Sequence, residues 1–148
     1  MVKRMFRKPV LWVIGVLCLG MVAFWHQVIE SSRRHTEFCE HVRKECESLR
    51  SRRPTGVSLR QWENVVEYTR NAAGNCLNSH PNIPRAEMDR FERQLKDKLN
   101  GPVDLKTIDW IWDEFVQLCP NGKWYVDEYR PTSPQRLKEI ESENWVHP

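Results

Sequence analysis

"PVLWVIGVLCLGMVAFWHQVI", residues 9–29, holds no charged side chain, and Val10 to Trp25 is apolar without interruption. At about 1.5 Å of rise per residue, Val10 to Ile29 makes a helix roughly 30 Å long, the thickness of a bilayer's hydrocarbon core. The stretch therefore predicts a single transmembrane signal-anchor helix over residues 10–29, preceded by a basic cytoplasmic tail, residues 1–9. Trp12 and Trp25 stand near its two ends, where an amphipathic ring favours the membrane–water interface. Membrane lipid is thus the first expected partner.

Two processing readings compete with retention, and both fit less well. Lys3, Arg4, Arg7 and Lys8 would serve as the basic region of a cleaved signal peptide. The apolar run is longer than such signals carry, however, and Met21 stands where a small residue should precede Ala23. Lipoprotein processing at Cys18 would want a small residue at Leu17. Orientation is nearly balanced by charge, because Arg33, Arg34, Arg43 and Lys44 follow the span closely. The upstream basic residues are packed more tightly, which favours a cytoplasmic tail. The expected location is the cell membrane, single-pass, with the main domain extracytoplasmic.

The 148-residue chain carries 23 Lys and Arg against 20 Asp and Glu, a net charge of +3. Taking away the four basic residues ahead of the span leaves 19 against 20 from Glu30 onward, so the excess belongs to the tail. Nucleic acid is not an expected partner, since displacing phosphate counterions requires a basic surplus. The local run Arg43, Lys44, Arg50, Arg52 and Arg53 reads as a solvated helix end.

Outward from the span, no Gly or Pro occurs between Gln27 and Arg53, so the helix is expected to continue. Phe38, Cys39, Val42, Cys46 and Leu49 recur at spacings of three and four, one apolar face. Arg53-Pro54-Thr55-Gly56 ends it. Ser58 and Gln61 form a capping box for a second helix burying Trp62, Val65, Val66, Thr69, Ala72 and Ala73, with Gly74 as its stop. "NCLNSHPNIP", residues 75–84, reads as a loop, and Pro84 opens a third helix with Met88, Phe91, Leu95 and Leu99 inward.

A fourth helix from near Asp104 is the most apolar, with Ile108, Ile111, Trp112, Phe115 and Cys119 on one side and Trp110, Val116 and Leu118 widening it. Trp124-Tyr125-Val126 is expected to be extended, and Thr132-Ser133-Pro134 to start a last helix too polar to add much core. The fold class is all-α: a transmembrane helix continuing into a small up-down helical bundle, residues 30–130, with a short extended segment and a C-terminal polar helix and tail, residues 131–148.

"GPVDLKTIDWIWDEF", residues 101–115, and "WENVVEYTRNAAGN", residues 62–75, resemble a pattern in uncharacterised bacterial envelope proteins with one N-terminal span. The resemblance covers roughly Gly56 to Arg130. It implies a bacterial origin and brings no activity or site residue with it.

"HTEFCEHVRKEC", residues 35–46, places two cysteines near two histidines, and Cys76 and Cys119 bring the outer count to four. An even count in a small domain outside the cytoplasm predicts two disulfides. Cys39 and Cys46 lie about 10 Å apart along one helix and cannot join each other. The expected sets are Cys39 with Cys76 and Cys46 with Cys119, or the crossed pairing, each bridge contributing about 2–4 kcal/mol. The alternative is a zinc site of His35, Cys39, Cys46 and Cys76, since His35 and Cys39 are four apart on one helical side. No C-x-x-C is present to strengthen it.

Other reaction centres are not legible: the chain has no G-x-S-x-G, no H-E-x-x-H and no phosphate-binding glycine loop. His80 is the best-placed lone histidine for proton transfer, and reads more simply as an inert loop residue. Asp109, Asp113 and Glu114 read as a wet helix face. Trp110 and Trp124 are candidate partner-binding side chains, because exposed aromatics dominate binding hot spots. The expectation is a non-catalytic, cofactor-free, membrane-anchored interaction or scaffold module whose partner is another envelope or membrane protein. The alternatives are an accessory subunit of a larger membrane complex and a metal-binding or thiol-redox protein.

Overall fold

The computed structural model describes residues 7–142, with side chains from residue 12 on. Lys3 and Arg4 of the basic tail, and residues 143–148 of the C-terminal segment, lie outside the described residues. The protein is all-helical, and no strand occurs among the described residues. Six α-helices follow in order: α1 Arg7–Ser48, α2 Leu59–Ala72, α3 Arg85–Asn100, α4 Leu105–Leu118, α5 Lys123–Tyr129 and α6 Pro134–Ser142. The chain divides into two compact units, Met1–Arg34 and His35–Pro148.

In the first unit the apolar part of α1 buries nothing. An 18-residue stretch within it has a mean hydropathy of 1.8, enough with its length to cross a membrane. Trp12 is 75% exposed and Trp25 61%, with Leu17, Leu19 and Phe24 also turned outward. Just beyond the apolar stretch, Arg33 donates to Glu30 at 2.7 Å.

The second unit has an ordinary core. Phe38, Cys39, Val42 and Cys46 of α1, with Leu49 in the turn just past its end, are buried along one face, as their spacing requires. Phe91 of α3 is the aromatic centre, its ring 6.1 Å from Phe38, 5.9 Å from Trp110 and 6.0 Å from Phe115. The large indoles keep their polar ends satisfied. Trp62 donates to the carbonyl of Leu49 at 2.8 Å, and Trp112 to the hydroxyl of Thr69 at 3.0 Å, which itself donates to the Val65 carbonyl.

Helix ends are set by local chemistry. The Ser58–Gln61 capping box starts α2 as expected, and Asp104 with Thr107 does the same for α4. Gly56, at φ +86°, makes the turn that the sequence places before α2. Arg52 donates to the carbonyls of Leu99 and Gly101, closing the end of α3. Arg50 meets Glu47 at 2.6 Å, and Arg53 the Val57 carbonyl at 3.1 Å. Much of the basic run is therefore structural.

Four expectations are corrected. Gly74 does not stop α2: helical backbone continues through a π turn, Ala73–Leu77, because Ala73, Cys76 and Leu77 are all buried. Residues 75–77, read as loop, belong to that turn. Trp124–Val126 is helical in α5, where a spacing of four brings Tyr125 and Tyr129 to 4.7 Å and lays Tyr125 parallel to Trp112 at 6.4 Å. Lys123 and Asp127 pair at 2.5 Å on its outer side. A strand would have sent Tyr125 and Val126 to opposite faces.

The third correction concerns α6, which is no mere polar appendage. Ile140 is fully buried against the core, Asn64 donates to its carbonyl, and Arg136 donates to the Tyr68 hydroxyl at 2.9 Å. The fourth is Glu114, a buried carboxylate 3.1 Å from the Arg90 guanidinium. Its former companions Asp109 and Asp113 do face water and meet Arg130.

Candidate functional site: a thiol cluster beside an uncharged cleft

The chemistry of the second unit gathers where the π turn, the end of α4 and the start of α5 come together. The wider π turn puts Cys76 inward while its neighbours Asn75 and Asn78 face out. Cys119, at the end of α4, is fully buried. Gly122 packs against both: a Cβ there would sit 3.3 Å from the Cys76 sulfur and 3.8 Å from the Cys119 Cβ. Only a hydrogen fits comfortably in that gap.

Cys39 joins this pair from α1, with His35 beside it, Nε2 3.5 Å from the sulfur. All three thiols are held protonated. Burial pushes Cys39 and Cys76 up to about 11, and burial together with the neighbouring Cys76 and Cys39 pushes Cys119 up to about 12. Burial also lowers the pKa of His35, an effect that the Leu77 carbonyl opposes. A neutral imidazole and protonated thiols make a non-nucleophilic group, since the thiolate is the reactive form.

Cys46 stands apart. It is fully buried and pushed up to about 12 by burial, and after that by Glu45 and Glu47 of its own helix. None of the expected disulfides is seen: the described cysteines are free, and both pairing sets would need Cys46 to reach Cys76 or Cys119. The fold brings Cys76 and Cys119 together beside Gly122. The zinc alternative gains no support, for among the described residues no three His, Cys, Asp or Glu side chains are grouped to hold a metal ion.

Outside the thiols lies a cleft of about 890 Å³, walled by the π turn, residues 78–84, the turn Asn121–Gly122 and the start of α5. His80 lines it. Its Nδ1 is 3.1 Å from the Cys76 carbonyl, which can only accept, so Nδ1 carries the proton and Nε2 is the acceptor in the neutral ring. That Nε2 is shielded from solvent and has no partner. Asn75 donates to the Tyr125 hydroxyl at 3.5 Å, and burial raises the pKa of that phenol.

The two candidate partner-binding tryptophans part company. Trp110 is half-buried, parallel to Phe91 with the Lys98 ammonium 5.7 Å over its ring. Trp124 is 64% exposed on the rim of the cleft, edge-on to Tyr125 at 5.7 Å. Sequence reasoning missed the cleft because its asparagines lie in two stretches 40 residues apart that read only as turns. No family model, curated protein or solved structure matches this chain.

Proposed function

We propose that the protein is a single-pass membrane protein, anchored by α1 with its N-terminus in the cytoplasm, that presents the unit His35–Pro148 as an extracytoplasmic interaction module. The observation that carries this reading is the outward-facing apolar surface of α1 between Trp12 and Ile29, which water would not tolerate and lipid would cover. Trp12 and Trp25 then lie at the two interfaces. Short connections such as residues 101–104 favour an up-down bundle for α1 to α4.

The module acts by binding. Its thiols are held protonated, and the exposed Trp124 beside a cleft is the kind of side chain that anchors a partner belonging to the envelope or the membrane. The resemblance to single-span bacterial envelope proteins points the same way. The test is alkaline extraction of membranes followed by protease treatment of spheroplasts. The chain is expected to stay with the membrane, and epitopes beyond Glu30 are expected to be digested from outside. A soluble chain beginning beyond Ile29, or protection until the membrane is breached, overturns the proposal.

A further inference from the structure

We infer that the cleft between the π turn and α5 is a binding site for a neutral saccharide chain, with Trp124 as its stacking platform. The inference rests on the reading of this unit as a binding module and names what the module holds. It does not depend on the anchor.

The first observation is charge. Of the chain's 148 residues, 23 are Lys or Arg and 20 Asp or Glu, yet none of the residues lining the cleft is charged. A phosphate, an anionic lipid headgroup or an acidic peptide would find no cation there, and a cationic ligand no carboxylate. The second is amide content. Asn75, Asn78, Asn82 and Asn121 line the cleft, half of the chain's eight asparagines. Each carboxamide offers donors and an acceptor without charge, which matches hydroxyl groups that both donate and accept. Among the described residues no hydrogen bond occupies the side chains of Asn78, Asn82 or Asn121.

The third observation is the platform. In the unit His35–Pro148, Leu59 and Trp124 are the exposed large apolar side chains among the described residues, and Trp124 is the one on the cleft. An indole face carries negative quadrupolar charge, and the C–H face of a sugar ring meets it with positive hydrogens. The cleft, at about 890 Å³, is at the upper end of the range that encloses small ligands.

A proline-rich peptide is the rival occupant, since it also lies on exposed aromatics. It brings carbonyl acceptors and few donors. The side chains of Asn78, Asn82 and Asn121 offer acceptors as well as donors, and a hydroxyl meets both where a prolyl amide meets only the donors. This favours the sugar.

The experiment uses the full chain in a detergent without a sugar headgroup, titrated with short oligomers of N-acetylglucosamine and of glucose while tryptophan emission and heat are followed. Saturable binding is expected for at least one series at millimolar concentration or below. Trp124→Ala should weaken it by about tenfold or more, and Asn78→Ala with Asn121→Ala should abolish it, with the circular dichroism melt unchanged. Trp124→Phe, which keeps a ring, should restore part of the affinity. No saturable binding by any neutral oligomer overturns the inference, as does binding that Trp124→Ala leaves untouched. Capture of a proline-rich peptide or a protein at Trp124 without sugar binding would also overturn it, while leaving the interaction module standing.

Discussion

Thr69 is a small residue with a large obligation. Its hydroxyl accepts from the buried Trp112 indole and donates onward to the Val65 carbonyl, so both polar ends are settled inside the core. Thr69→Val keeps the shape and strands the indole N–H, and should cost about 1–3 kcal/mol in a denaturant melt. The thiols make a second prediction at this scale. Their pKa values rise from an ordinary 9.0 to about 11 for Cys39 and Cys76 and about 12 for Cys46 and Cys119. Above the unfolded value the unfolded chain sheds protons that the folded chain keeps, so stability falls with rising pH. In the reduced protein the melting temperature should therefore be insensitive to these groups below about 9 and decline from there through about 11–12. A native chain whose buried cysteines alkylate at neutral pH as fast as the denatured chain would contradict the burial on which this depends.

At the level of elements, what the sequence displays best is periodicity and caps. The inward faces of α1, α3 and α4 and the Ser58–Gln61 box were all readable, because spacing and side-chain chemistry decide them locally. What it hides is anything decided by a neighbour. Tyr125 and Val126 favour strands by propensity, whereas in the helix Tyr125 meets the parallel Trp112 ring and Tyr129 one turn on. Gly74 looked like a stop until Cys76 and Leu77 had a core to enter. The same blindness made α6 look dispensable. Ile140→Ala empties a fully buried site between α6 and α2, and should lower stability by about 2–5 kcal/mol by chemical denaturation. A loss within experimental error would mean that α6 is peripheral after all.

For the molecule as a whole, the cleft was the least legible feature, since residues from the π turn and from α5 become neighbours only through the fold. The compartment in turn decides the state of the cysteines. In an oxidising space, thiol exchange with a donor disulfide can remove two electrons and two protons from a thiol pair, the donor leaving as two thiols. Cys76 and Cys119 both lie against Gly122, and peptide mapping after non-reducing digestion should find Cys76 joined to Cys119, with Cys46 always free. A bridge to Cys46 would refute the arrangement. The uncharged lining has a further consequence. Ions in solution shield attractions between charges and leave amide and ring contacts nearly untouched. Whatever settles beside Trp124 should hold as firmly in brine as in fresh water, so the module would keep its grip wherever external salinity changes.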